Sequence, residues 1–289
     1  MKTHAWKAAM AAFAAVATLA LAGGPGGAET LLGEPREMGE GTVRTYVDLD
    51  AGGRPTVIGI VLSEGALIGL PPLKNATSRC FDLDGSGAID GSRECEGDLE
   101  LALSMPAGAA ERGDIPFRWV GLNWNAEGHP PAVWSVPHFD FHFYISSFNE
   151  VALIRVGGCD FFINCDDREL ALQPVTGKYV AADHINVGAT VSRMGNHLID
   201  ARTPELADPP GRGFTHTWIY GAYGGHITFY EPMITLAYLL SRPDGCAPIR
   251  QPAAWEAAGY YPTEYCIRYS KARAAYTISL EGLVKRAAE

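Results

Sequence analysis

Beyond its first two dozen residues the chain holds no apolar run approaching the roughly 18 residues a membrane helix needs, so no helical span is expected there. Charge is scarce, at 19% of residues, and the basic sign is scarcer, 23 Lys and Arg against 33 Asp and Glu. The formal net charge of −10 argues against nucleic acid and anionic membrane surfaces as partners and suits divalent cations. There is no Gly-x-Ser-x-Gly elbow, which removes the commonest serine-hydrolase signature. Neither an internal repeat nor a low-complexity linker is present, and no 3.6-residue period is sustained, so long amphipathic helices are not expected.

What is present begins with MKTHAWKAAMAAFAAVATLALAGG, a basic start, a short apolar stretch and an Ala20-Leu21-Ala22 site, the pattern of a cleaved secretory signal over residues 1–22. The expectation is a soluble protein of the periplasm or extracellular space. A flexible leader at 23–40 and a single β-rich domain at 41–289 would follow. The six cysteines fit an oxidising compartment. Six allow about 15 connectivities; nearest-neighbour pairing predicts Cys80 with Cys95, Cys159 with Cys165, and Cys246 with Cys266.

Short runs rich in Val, Ile, Phe, Trp and Tyr, divided by Gly, Pro and Asp, read as strands. VRTYVDL and TVIGIVLS around AGGRP form a hairpin; SEGALIGLPP is a helical turn; DLELALSMP, FRWVGLNWN, AVWSVPHFDFHFYISS and VALIRVG are strand-like. GAYGG turns another hairpin, and the tail adds one or two strands and a short helix. With 33 glycines and 19 prolines, the fold class is all-β or β-dominated, an antiparallel sandwich or barrel with a few short helices and disulfide-closed loops.

Inside CFDLDGSGAIDGSREC, Asp82, Asp84, Ser86, Gly87, Ile89 and Asp90 match six positions of a calcium-binding EF-hand loop, whose alternate oxygens converge on one ion. The closing bidentate acid would be Glu94, one residue late because Arg93 takes its place. Calcium is one reading of this inserted loop at 80–95; a polar turn closed by a disulfide is the other.

Seven of the eight histidines lie between His129 and His226. In PHFDFHFYI, strand alternation sets His138, Asp140 and His142 on one face and Phe139, Phe141 and Phe143 on the other. Alternate residues stand about 7 Å apart, close enough for two of them to reach one metal. Ligands from other strands must complete a site, and the candidates are His197 in MGNHLID, with Asp200 nearby, His216, and His226 or Glu231 in GGHITFYEPMIT. Glu231 is preferred over His226, because an acid before Pro232 among apolar residues is costly to bury without a cation or donor. Imidazoles with carboxylates suit Zn, Fe, Mn or Cu. A half-buried strand with a polar side is the structural alternative. His129 and His184 have little around them to suggest ligation, although Gly-His-Pro-Pro can orient a ring beside the site.

GHPPAVWSVPHFDFHFY, MGNHLID and FTHTWIYGAYGGHITFYEPMIT together resemble a family of uncharacterised secreted bacterial proteins with GHxP, PHFDFHFY, MGxHxxD and EPMIT motifs. The likeness covers nearly the whole chain after residue 40 and implies a β-rich exported protein. A weaker likeness is to cupins, which bind metal through an HxH pair, an acid and a later histidine on a β-barrel; here the spacing is HxDxH, and Glu150 follows His142 beyond the usual gap.

Two function classes stand against each other. One is an exported metal-binding protein, of hydrolase or oxygenase type, with His138, His142, His197 and Glu231 around a divalent ion and Asp140 as ligand, outer partner or general base. The other is a non-catalytic ligand-binding or envelope-stress protein, stabilised by disulfides and calcium, in which the same polar strand face lines a small-molecule pocket or a subunit interface and Trp119, Trp124, Trp134 and Trp218 supply contact area.

Overall fold

Period-two alternation runs through most of the strands, and its apolar side builds one core. A computed structural model describes residues 28–71, 79–80, 86–88, 95–96, 99–159, 162–206 and 213–289. The first sheet is antiparallel and combines β1 (Glu29–Leu32), β2 (Arg36–Met38), β3 (Gly41–Leu49), β4 (Pro55–Ser63), β14 (Asp244–Pro248), β16 (Glu264–Ser270) and β17 (Ala275–Glu281). Its order is β1-β3-β4-β17-β16-β14, with β2 also on β3. The second is antiparallel too and holds β7 (Leu99–Ser104), β8 (Trp119–Asn125), β9 (His138–Tyr144), β10 (His184–Val191), β11 (Gly195–Asp200), β12 (His216–Tyr223) and β13 (His226–Thr235). There the order is β10-β11-β12-β13-β9-β8-β7. After β9 the chain builds β10 to β13 as a meander and returns to lay β13 against β9. Two-stranded pairs, β5 (Arg79–Cys80) with β6 (Cys95–Glu96) and β15 (Gly259–Tyr261) with β18 (Val284–Arg286), complete the strands.

The sheets bury a common apolar layer. Val43, Val47, Ile58, Ile60 and Ile278 of the first meet Leu103, Val120, Phe139, Phe141 and Phe143 of the second in one cluster. Each fully buried side chain of this size contributes about 1.5–3 kcal/mol. Thr45 donates its hydroxyl to Ser104 O at 2.6 Å, tying the two sheets together. Both sheets are open at their edges, so of the two architectures expected the chain takes the sandwich, and the cupin likeness loses its barrel. Among the described residues no helix is long and apolar enough to cross a membrane.

Several expectations need correction. The stretch assigned to a flexible leader already supplies β1 and β2, because Thr30, Leu31 and Leu32 pair with β3. VALIRVG is not a strand: Ser147 and Glu150 form a reciprocal capping box that starts the short helix at Phe148–Ala152, which also takes Glu150 away from any ligand role. The tail after residue 258 carries four strands and, among the described residues, no helix. Cys246 and Cys266 are bonded, at 2.11 Å across β14 and β16. Cys159 and Cys165 are free thiols, and contact with Cys159 raises the Cys165 pKa. Cys80 and Cys95 are backbone partners across β5 and β6. Of the calcium-loop oxygens, Asp82, Asp84, Asp90 and Glu94 lie outside the described residues, while Ser86 turns its hydroxyl to Ala88 O at 3.0 Å.

Candidate metal centre

The inward face of β9 carries the three phenylalanines of the core; the outward face carries His138, Asp140, His142 and Tyr144. A half-exposed sheet would leave that outward row wet, yet all four residues are buried. Loops fold over it. Trp134 and Phe214 join Ile199, Ile219 and Met233 in an apolar cover near His138, and Val151 joins Tyr144 and Phe229 near His142. A buried polar row is costly unless each group finds a partner.

Partners arrive in two separate groups. At one end, Glu231 of β13 falls opposite His142 in the register of β13 on β9, and the ladder lapses there because Pro232 has no N–H to give. His142 Nε2 lies 3.6 Å from Glu231 Oε1. His197 belongs to β11, two strands away, where it pairs with Gly221 of β12. Gly221 makes room for Phe229: a Cβ there would stand 2.1 Å from the Phe229 ring. With glycine in place, the His197 ring reaches across beside Phe229 and brings its Nε2 to 3.9 Å from Glu231 Oε2. His197 Nδ1 is 3.0 Å from Ala189 O, so that nitrogen donates and Nε2 keeps its lone pair facing Glu231.

The second group forms around the other end of β9. His138 Nε2 lies 3.3 Å from Asp140 Oδ1, and His129 Nε2 lies 3.7 Å from Asp140 Oδ2. Asn125 of β8 donates its amide to Asp140 Oδ2 at 2.7 Å. His129 is brought in by a tight loop. Gly128, at φ +71°, leaves no room for a Cβ, which would stand 2.2 Å from Trp134 O.

In each group the three donor atoms lie within 4.8 Å of one another. Donors about 2.1 Å from a shared ion sit about 3.4 Å apart in a tetrahedral site, so small side-chain adjustments complete either one. Among the described residues, His138 Nε2, Asp140 Oδ1, both ring nitrogens of His142 and Glu231 Oε2 are buried with no hydrogen-bond partner. A third grouping, Cys246, Cys266 and Glu281, is spent otherwise, since the sulfurs are bonded and Glu281 pairs with Arg268.

Electrostatics distinguish the two groups. Burial lowers the His142 pKa to about 3 and the His197 pKa to about 4, so both rings are neutral and offer lone pairs at neutral pH. Burial, reinforced by Asp140, raises Glu231 well above the ordinary carboxyl range. A cation replacing its proton would find two imidazoles and a carboxylate already converged. For Asp140, burial acts upward but is outweighed by His138 and His129, which hold the carboxylate well below its ordinary range.

The single ligand set of His138, His142, His197 and Glu231 with Asp140 beside it is therefore divided. His142, His197 and Glu231 converge; His138 and Asp140 join His129 instead. Sequence reasoning passed over His129, whose signals were the GHPP turn and the crowded glycine before it. Asp200 bonds Arg250 at 2.9 Å, His226 bonds the exposed-side Glu256 at 2.9 Å, and His216 faces the inter-sheet layer against Tyr265 OH at 2.7 Å. A cavity of about 260 Å³ on the outer face of the first sheet involves none of these histidines; its Arg268 and Glu281 pair with each other. Comparison with models of known protein families, with curated proteins and with solved structures finds no match.

Proposed function

We propose that the protein binds a divalent transition-metal ion through His142, His197 and Glu231. One observation carries this reading: donors from β9, β11 and β13 converge within 4.8 Å of one another, and His142 Nε2 and Glu231 Oε2 are buried with no hydrogen-bond partner among the described residues. Two imidazoles and one carboxylate suit Zn, Fe, Mn or Cu and leave positions for water or substrate, so the ion can act as a Lewis acid. The Cys246–Cys266 bond supports an exported protein in an oxidising compartment.

Thermal melting tests the reading. Chelator-treated protein should gain stability when Zn²⁺ is added, by about 2.7 kcal/mol at a hundredfold excess over Kd. Glu231→Gln keeps the shape of the protonated side chain and should fold, yet gain less than wild type by about that amount. Identical melting curves with and without each of Zn²⁺, Mn²⁺, Cu²⁺ and Fe²⁺ would refute it.

A further inference from the structure

The second group lies beyond that reading. His129 comes from a loop, and His138 and Asp140 come from the first three residues of β9; none of them belongs to the first group. His138 Nδ1 is 2.7 Å from Val136 O, a contact that only a donating nitrogen can make favourable. In a neutral ring this leaves Nε2 as an acceptor. That acceptor faces Asp140 Oδ1, a second acceptor, at 3.3 Å, and both atoms are buried without a hydrogen bond. Two acceptors face each other stably only with a positive centre between them, a proton or a metal ion. His129 Nε2 approaches the same carboxylate, and the His129 and His138 rings stand nearly perpendicular, at 80° with centroids 4.6 Å apart. Asn125 donates to Asp140 Oδ2, the oxygen that His129 approaches, a contact of the kind that orients metal-binding carboxylates.

We infer that His129, His138 and Asp140 form a second transition-metal site, separate from the first and open to solvent. Separation follows from the donor atoms: each group's three lie within 4.8 Å of one another, and the two groups have no residue in common. Openness follows from exposure. The His129 side chain is 36% exposed, against 0% for His138, while the first group's side chains are 1%, 13% and 2% exposed. The second ion thus faces water on the His129 side, where it can exchange or take a small anionic ligand.

Titration of chelator-treated full-length protein with Co²⁺, read by visible absorption and equilibrium dialysis, decides the matter. The expected result is two Co²⁺ per chain in wild type, and one in His129→Ala, in Asp140→Asn and in His142→Ala. The His129→Ala spectrum should keep the band that His142→Ala loses. His129 is partly exposed in a loop, so its variant should keep the wild-type circular dichroism. One Co²⁺ in wild type, retained in His129→Ala and lost in His142→Ala, overturns the second site and leaves the first standing. One Co²⁺ lost in His129→Ala and kept in His142→Ala supports the second site and overturns the first. Two Co²⁺ undiminished in both His129→Ala and Asp140→Asn also overturn this assignment.

Discussion

Single residues decide which donors meet. Gly221 is the sharpest case, because its missing side chain is what lets the Phe229 ring lie over β12, beside His142 and His197. Gly221→Ala should destabilise the fold by about 1–3 kcal/mol as the Phe229 ring is forced aside, measured by denaturant unfolding against wild type. An unchanged midpoint would mean that the ring has room to move. Gly128 plays the corresponding part for His129, since the loop carrying it packs its backbone directly on residues 134–136. Both glycines are plain letters in the sequence, and only the contacts made in three dimensions give them this meaning.

At the scale of elements, β9 was legible because its alternation is strict: phenylalanines inward, ionisable groups outward. The β12–β13 hairpin was equally so, with Gly224 and Gly225 at its turn. What the alternation did not carry was the cover over the outward face. A period of two cannot distinguish a wet face from one roofed by loops, and so VALIRVG passed for a strand although Ser147 and Glu150 cap a helix there. Nor could spacing along one strand tell that His138 and His142 belong to different groups, because the completing ligands come from other strands and a loop. Part of the cover, the helix at Cys165–Ala171, is fastened by Asp167, which accepts from Arg155 Nε at 2.8 Å and from the Arg155 N–H at 2.7 Å. The Arg155 guanidinium holds the Asp167 carboxyl below its ordinary range. A carboxylate depressed in the folded state adds stability above its unfolded pKa of about 3.9 and loses it as pH falls through the folded value. Wild type should therefore lose stability more steeply than Asp167→Asn as pH drops below about 4, measured by urea unfolding across that range. Parallel pH profiles for the two proteins would rule this out.

Taken as a whole, the molecule closes its core with one sheet and carries the candidate metal ligands on the other. The first sheet closes the core, and the Cys246–Cys266 bond joins its edge strand to the neighbouring one. The second is buried on both faces through its central strands, which places an ionisable row where each donor must be matched by a cation or a proton. Composition already pointed this way, through a deficit of basic residues and histidines crowded between His129 and His226. The central claim is that this row holds transition metal at His142, His197 and Glu231. Elemental analysis of protein purified without a polyhistidine tag tests it most directly. At least one equivalent of a divalent transition metal per chain in wild type, reduced by one equivalent in the folded His142→Ala/His197→Ala double variant, is the result predicted; a wild type free of metal, or a double variant with undiminished metal, would contradict it.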